Sequence, residues 1–213
     1  FLASSSILIA QSCNDSLKNK VNVDLYFGLG ASVLSKFSLN DKLKAAGIAE
    51  LNETTPEFLI GLNVFGSKLS GDAEFGFAAS ENDLGNTENR NIAFTSRLRV
   101  HYNLINKEKV AFTGGINLSA TSSEVDIFTK NNTIDLNNLV GLTSNHVSLK
   151  NQMFYVGPSV SLYLLKHKKS SIRANFGYEF AFTNGKWKSD FATINNTVKE
   201  NGNNRFVFGI SLL

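Results

Sequence analysis

The sequence contains one cysteine, two prolines and three histidines among 213 residues, and only 18% of its residues are charged. A single cysteine excludes a disulfide framework and any metal site built from several thiolates, because both need several thiols. The net charge of +3 is spread along the chain, and no basic block indicates a nucleic-acid partner. No run reaches the roughly 18 consecutive apolar residues that a membrane-crossing helix needs. We therefore expect no metal, no cofactor and no helical membrane span.

The first ten residues are mostly apolar, and Ala10-Gln11-Ser12 has the small-x-small form that signal peptidase recognises. Residues 1–13 are therefore interpreted as a signal-peptide-like leader. Cys13 also allows a lipoprotein interpretation, although a lipobox usually has Leu where this chain has Ala10. Export from the cytoplasm agrees with the low cysteine content.

From Asp24 onward, apolar residues recur with a period of two, which is typical of β-strands. In the clearest segment, Phe176, Tyr178 and Phe180 share one face, whereas Arg173 and Glu179 share the other. A helix would mix these two sets. Eight such segments occur, at about 24–37, 57–66, 72–80, 91–104, 109–122, 152–165, 172–182 and 204–213. The sequence therefore predicts an all-β fold.

The connections between these segments alternate in length. Short links follow the second, fourth and sixth segments, at 67–71, 106–108 and 166–170. Long polar links follow the first, third, fifth and seventh, at 38–56, 81–90, 123–151 and 184–203. Short periplasmic turns and long extracellular loops are typical of outer-membrane barrels. Residues 14–213 are predicted to form an eight-stranded antiparallel up-and-down transmembrane β-barrel, with four long extracellular loops and both termini in the periplasm.

The distribution of lysine indicates which face is outside. No lysine lies in the middle of a predicted strand, and the polar faces carry mainly Gly, Ser, Asn and Tyr, which suits a narrow lumen. Strands of about ten residues, tilted as in such barrels, give an apolar belt about 25 Å tall. The alternative is a soluble ligand-binding barrel with its apolar face inside. The residues predicted to face lipid are Phe27, Phe58, Phe75, Phe94, Phe112, Phe154, Phe176, Phe180, Phe206 and Phe208.

With these features, residues 24–213 resemble the small eight-stranded outer-membrane barrels of the OmpA-transmembrane and OmpX type. The Asn-, Lys- and Phe-rich composition is similar to that of porin-family outer-membrane β-barrel proteins of Bacteroidetes-like bacteria. The resemblance rests on architecture and includes no diagnostic motif. Such chains usually end in an aromatic residue, whereas this one ends Ser211-Leu212-Leu213. The resemblance implies integral location in a bacterial outer membrane, with its lipid, lipopolysaccharide and other outer-membrane proteins as partners.

Charged residues on the polar faces are predicted to form a salt-bridge network in the lumen, because buried charges must pair. The alternative is a narrow channel, although eight strands leave room only for side chains. The predicted members are Glu74, Arg97, Arg99, His101, Arg173 and Glu179.

His146 and Ser148 form a His-x-Ser pair similar to that of the lipid A deacylase barrels. A histidine base could activate the serine hydroxyl if a carboxylate oriented the ring. No acidic residue follows until Glu179, so a third member is not evident. A palmitoyl-transfer barrel is no better supported, because His101 is predicted to face the lumen. We therefore expect no enzymatic role and keep a lipid-modifying enzyme as an alternative.

The long links contain features that indicate contacts. Residues 40–46 consist of the cap-like Asn40 followed by good helix formers, which predicts a short helix. Phe128, Trp187 and Phe191 lie in polar segments and are candidates for contact with a partner or with each other. Trp187 could also belong to an interfacial aromatic girdle. The predicted function is a structural or accessory interaction component, including a subunit of a larger outer-membrane assembly.

Overall fold

The structure is a computed structural model and describes residues 21–130, 146–165 and 171–213. The described residues form eight strands and one short helix, α1 (Asn40–Ala45). The strands are β1 (Asn22–Leu34), β2 (Thr54–Phe65), β3 (Leu69–Leu84), β4 (Thr87–Asn106), β5 (Val110–Thr129), β6 (His146–Leu164), β7 (Ile172–Ala181) and β8 (Arg205–Leu212). Each strand pairs antiparallel with its sequence neighbours, and β1 pairs with β8, so the sheet closes into a barrel. The predicted eight-stranded antiparallel up-and-down barrel is confirmed.

Strict alternation along the strands separates an apolar outer face from a polar lumen. On β4, Arg97 and Arg99 are buried, whereas Leu98 and Val100 are 59% and 65% exposed. The register keeps the faces in phase, since Leu98 pairs with other outward-facing positions on β3 and β5. This arrangement is the reverse of a soluble barrel with an apolar interior, so that alternative is wrong.

All ten phenylalanines predicted to face lipid lie on the outer face. Nine of them are 40–50% exposed, and Phe112 is half-buried between outward-facing neighbours. Rings from adjacent strands contact one another there, as between Phe176 and Phe208, whose centroids are 5.1 Å apart. We call this outer surface of exposed apolar side chains the apolar belt.

The prediction of a second long loop, at residues 81–90, is wrong. Strands β3 and β4 continue pairing through Glu81↔Arg90 to Leu84↔Thr87, and Gly85 with Asn86 makes a tight turn. Gly85 has φ of +58°, a conformation that tight hairpin turns require and that glycine adopts without steric cost. Beyond the apolar belt both faces of this hairpin become polar. Without alternation of apolar and polar residues, the sequence of this segment looks like that of a loop, although the backbone remains extended.

The opposite end of the barrel carries the short connections. Residues 66–68 and 107–109 join β2 to β3 and β4 to β5, as predicted. The lumen at this end holds a small apolar cluster of Phe65, Ala111 and Tyr163, against which Leu213 packs. The described residues do not include 1–13, 131–145 or the link at 166–170. The leader and the lipoprotein interpretation of Cys13 therefore stay predictions. Within the described ranges, no helix is long and apolar enough to cross a membrane.

Candidate functional site

Four arginines and four carboxylates of the described residues are buried in the barrel lumen, each no more than 8% exposed. Their formal charges cancel, which matters because an unpaired charge in this environment would cost several kcal/mol. The eight residues are Arg97, Arg99, Arg173, Arg205, Glu57, Asp72, Glu74 and Glu179. We call this set the lumen network.

Glu74 lies at the centre of the lumen network. Its Oε1 atom accepts hydrogen bonds from Arg97 at 3.0 Å and from Arg99 at 2.7 Å. Its Oε2 atom accepts from the hydroxyl of Tyr26 at 3.0 Å. The β3–β4 register brings these groups together, because Glu74 and Arg97 are directly paired residues. The predicted pairing of acids and arginines across neighbouring strands is therefore present.

Asp72 extends the lumen network toward the end that carries the short turns. Its carboxylate lies 2.7 Å from Arg99 Nη1 and 3.1 Å from Arg173 Nη1. The Arg173 guanidinium also lies over the ring of Tyr26, 4.1 Å from the centroid. A single tyrosine thus contacts both an acid and an arginine, which fixes side chains from β1, β3 and β7 against each other.

Toward the other end, Arg97 lies 2.7 Å from Glu57 and Arg205 lies 2.5 Å from Glu179. The Arg205 guanidinium stacks over the ring of Tyr155 at 4.0 Å. Sequence reasoning missed Glu57, Asp72 and Arg205, each of which is the first or second residue of its predicted strand. Strand alternation was the available signal. Each of the three is an even number of residues from a recognised lumen-facing position on its own strand, and such residues share a face.

His101 lies in the lumen as predicted and is 3% exposed. Its ring nitrogens lie 2.8 Å from Thr113 Oγ1 and 2.7 Å from Ser159 Oγ. Both partners are neutral hydroxyl groups. The ring is therefore held as part of the hydrogen-bonded interior and faces away from the outer surface.

An apolar cluster closes the other mouth of the barrel. It combines the 35–53 connection with its helix α1, the 182–204 connection, and inward-facing residues where β5 and β6 project above the apolar belt. Its buried members are Leu34, Phe37, Leu39, Leu43, Leu51, Val125, Leu149 and Trp187. We call this folded unit the cap.

Trp187 is 2% exposed at the centre of the cap. The predictions that it contacts a partner or lies in an interfacial girdle are therefore wrong. Its ring packs on residues from other segments of the same chain. This contact among the loops was the alternative to contact with a partner. The alternation that places Lys186 and Lys188 outside directs the ring between them inward.

Polar contacts hold the two cap connections together. The buried Glu200 carboxylate accepts from the backbone N–H groups of Ser38 and Leu39, at 2.6 and 3.1 Å, and from Trp187 Nε1 at 2.6 Å. The predicted helix at 40–46 is confirmed as α1, but Asn40 does not cap it. The Asn40 side chain instead bonds both backbone polar groups of Leu51, which closes the connection that follows the helix.

Between the cap and the lumen network lies a cavity of about 40 Å³. This volume suits about three water molecules, since each needs roughly 10–15 Å³ of such space. Its lining includes Thr55, Asn91, Thr95, Thr121, Met153 and Asn203. With the Phe65 and Tyr163 rings at the far end, the described lumen is closed at both ends.

The predicted His146 and Ser148 pair lies on β6 above the apolar belt. Ser148 Oγ donates to Glu124 Oε1 at 3.1 Å, whereas His146 Nε2 lies 2.9 Å from Asp126 Oδ1. The acids come from the adjacent strand β5, which is why the sequence order did not indicate them. The serine proton is directed to a carboxylate, so the described contacts show no histidine-activated serine. No group of acids, histidines and cysteines suited to a metal ion occurs among the described residues.

The other two partner-contact candidates differ in exposure. Phe191 is 83% exposed, beside Asp190 in the 182–204 connection. Phe128 is half-buried and stacks on the His146 ring at 4.6 Å, with Arg90 6.0 Å from its centroid. Phe191 is thus the candidate that the fold leaves available for contact.

No protein-family model matches the chain, and a comparison with curated proteins finds no match either. Among solved structures, a major outer membrane protein from Thermus thermophilus is similar, with 12% identity and a TM-score of 0.52. That match covers 89% of this chain and 99% of the Thermus chain. At this identity the likeness shows the barrel fold alone, and the resemblance to small outer-membrane barrels is confirmed at that level.

Two further solved structures show weaker similarity. Ail, the attachment invasion locus protein of Yersinia pestis, is 11% identical with a TM-score of 0.49, covering 89% of this chain and 96% of Ail. Neisserial surface protein A is 11% identical with a TM-score of 0.47, covering 90% and 98% of the two chains. The similarity to Bacteroidetes-type proteins stays a prediction.

Proposed function

We propose that this chain is an integral bacterial outer-membrane protein with no enzymatic role, acting as a structural or accessory component through its cap. The apolar belt carries the proposal. Side chains such as Leu29 and Val100 are 72% and 65% exposed, within a band that surrounds the barrel. Soluble monomers rarely expose contiguous apolar patches larger than a few hundred Å². A closed barrel also satisfies its strand backbone groups internally, as lipid requires.

The orientation follows from the unequal ends of the barrel. Asn22 pairs with Phe65 next to the 66–68 turn, and Leu213 bonds to Ser171 at the same end. We assign this end, with both ends of the described barrel, to the periplasm. The cap then lies outside the cell, in the position that long loops occupy in outer-membrane barrels.

The closed lumen favours a role at the surface over transport. Ion pairs fill the middle of the barrel, aromatic rings close one end, and the cap closes the other. The parts left for interaction are the outer surface of the cap, including Phe191, and the apolar belt. Outer-membrane lipid, lipopolysaccharide and other outer-membrane proteins are therefore the proposed partners, and membership of a larger assembly is one form of this role.

Membrane fractionation with gel analysis tests the location. The chain should partition with outer membranes, and the unboiled form should migrate differently from the boiled form, because a closed barrel resists detergent until heated. Mass measurement after mild detergent extraction then tests the assembly. A chain found in the soluble fraction would remove the proposal, whereas a lone species near 23.3 kDa would remove only the larger assembly.

Two assays test the proposed lack of enzymatic and channel activity. Purified protein incubated with lipopolysaccharide should leave its acyl chains intact, because Ser148 donates its proton to Glu124. Deacylation that disappears in Ser148→Ala would contradict this. Planar bilayers containing the protein should show no conductance steps, because both ends of the lumen are filled. Stable single-channel currents would favour the narrow-channel alternative.

A further inference from the structure

Four exposed lysines lie together on the outer surface where the 182–204 connection meets β6. Lys150 and Lys188 form an antiparallel bridge through two backbone hydrogen bonds of 2.7 and 2.9 Å. Lys186 and Lys199 form a second bridge. Directly paired residues point to the same side of a sheet, and alternation places Lys186 and Lys188 on one face. We call these four residues the lysine cluster.

The lysine cluster is not neutralised by the rest of the described chain. Like charges placed directly opposite each other destabilise a sheet, and here two such pairs are adjacent. Lys150 lies 2.6 Å from Asp190 and 3.8 Å from Glu124. The ion pairs among the described residues include Lys150 but none of Lys186, Lys188 and Lys199. The arrangement therefore has an excess of positive charge that an anionic ligand would balance.

Other cations at the same height are paired and show the contrast. On the β3–β4 hairpin, Arg90 lies 2.7 Å from Glu81. Lys130 lies 2.7 Å from Asp83 and 3.5 Å from Glu88. Each of these two cations therefore has an acid within ion-pair distance, unlike Lys186, Lys188 and Lys199.

The lysine cluster borders a groove that leads down to the apolar belt. The groove has a volume of about 380 Å³, and its lining includes Lys150, Gln152, Phe154, Lys186 and Lys188. Alternate residues on β6 take the surface from charged through polar to aromatic over about 13 Å of strand. Phe154 is 40% exposed at the lower end of this series.

We propose that the lysine cluster binds the phosphate groups of a phosphorylated glycolipid of the lipid A type, with the lipid's acyl chains against Phe154 and Phe182. The inference rests on the proposed outer-membrane location and names the lipid partner. Lysine ammonium groups bind phosphate as compact point charges, and their stems can lie along apolar surface. A free anion would use the lysines alone, whereas an amphipathic lipid uses the lysines and the adjoining aromatic surface. Phe182, 59% exposed and 6.2 Å from Phe154, extends that surface.

The test uses the full barrel in uncharged phosphatidylcholine nanodiscs, titrated with diphosphorylated lipid A and monitored by native mass spectrometry. The test variant is Lys186→Gln with Lys188→Gln, and the matched control is Lys42→Gln with Lys44→Gln on helix α1, where both lysines are exposed. Each variant loses two positive charges from the chain. We expect the first to bind lipid A at least about tenfold more weakly and the control to bind like wild type, because each interfacial lysine contributes to binding a charged lipid surface.

Further arms separate the sources of the phosphate. Lipid A without phosphates should bind weakly to every variant, and inorganic phosphate at millimolar concentration should compete poorly. Equal binding by both double variants, equal binding of dephosphorylated lipid, or efficient competition by inorganic phosphate would each overturn the proposal. Loss of heat-modifiable migration would show that the test variant does not fold. The salt dependence of the wild-type protein then replaces the comparison of variants, and its lipid A binding must weaken as salt is added. Salt-independent binding would also overturn the lipid A proposal. Membrane fractionation of the wild-type chain tests the outer-membrane location separately.

Discussion

The indole Nε1 atom of Trp187 donates a hydrogen bond to Glu200 Oε1 at 2.6 Å, and the two side chains are only 2% and 1% exposed. The same carboxylate accepts hydrogen bonds from the backbone N–H groups of Ser38 and Leu39, which lie more than 160 residues earlier in the sequence. One acid therefore joins the first and last long connections across the barrel mouth. The cap is a folded unit with its own apolar core, so it presents a defined outer surface.

Glu200→Gln should loosen the cap without unfolding the barrel. The Glu200 carboxylate accepts from four N–H donors, the fourth being the Asn203 side-chain amide. A glutamine at this position would keep one acceptor oxygen, and its NH2 group would face donors. Hydrogen bonds to a charged group contribute about 1.5–3 kcal/mol each, so the loss should be measurable. Trp187 is the only tryptophan, and its fluorescence reports on the cap directly. We expect a red-shifted emission and faster proteolysis within 35–53 and 183–203.

Asp41→Asn provides the matched control for the cap. It makes the same acid-to-amide change at an exposed residue whose partner is Lys36. Emission and proteolysis should stay as in wild type. If Glu200→Gln and Asp41→Asn gave the same emission spectrum, the Glu200 contacts would not hold the cap together.

Arg97→Met should destabilise the whole barrel. The change leaves Glu57 and Glu74 without the guanidinium that lies 2.7 and 3.0 Å from them. Removing one partner from a buried ion pair costs about 3–5 kcal/mol, because the remaining charge stays desolvated. Urea unfolding in lipid vesicles, followed by the loss of β-sheet circular dichroism, measures the loss for the barrel as a whole. Arg90→Met, which changes an exposed arginine on the same strand, should unfold close to wild type. Equal midpoints for the two variants would show that the lumen network does not stabilise the barrel.

The strands and their faces could be predicted from sequence because both depend on a local rule. Side chains alternate across a strand, so residues such as Leu98 and Arg99 reveal their opposite faces without knowledge of the fold. Closure also follows, because a strand edge in lipid would leave backbone groups without partners. The belt and the core of the lumen network were therefore predictable.

The cap and the β3–β4 hairpin could not be predicted in the same way. Trp187 meets its partners through contacts between segments far apart in the chain, and no local pattern specifies which loops meet. Residues 81–84 and 87–90 pair although both faces are polar, so alternation carries no information there. Asn40 was expected to cap α1, but its side chain satisfies Leu51, a tertiary contact that competes with the local one.

Gly61→Ala should destabilise the barrel through the lumen. Gly61 pairs with Tyr26, and a Cβ there would collide with the tyrosine hydroxyl and the carbonyl oxygen of Ala73. Moving Tyr26 would weaken its bond to Glu74, and overpacking of this kind costs about 1–3 kcal/mol. Gly114→Ala is the control, because the nearest atom to its Cβ would be 3.4 Å away, on Leu104. Urea midpoints should fall for the first variant alone. A loss of similar size in Gly114→Ala would mean that strand flexibility, rather than the space beside Tyr26, sets the effect.

The belt itself can be tested with two substitutions that are equivalent in water and different in a bilayer. Leu98 and Leu104 share the outer face of β4 and are both 59% exposed, but Leu98 lies mid-belt and Leu104 near the short-turn end. In vesicles, Leu98→Arg should cost about 2–4 kcal/mol of unfolding free energy and Leu104→Arg about 0–1, because the cost of a lipid-facing charge depends on depth. Urea unfolding in vesicles gives both values. A barrel surrounded by water would tolerate the two substitutions equally, since each places a charge at a solvated surface. Equal, small effects would therefore contradict the membrane location even if the fold were intact.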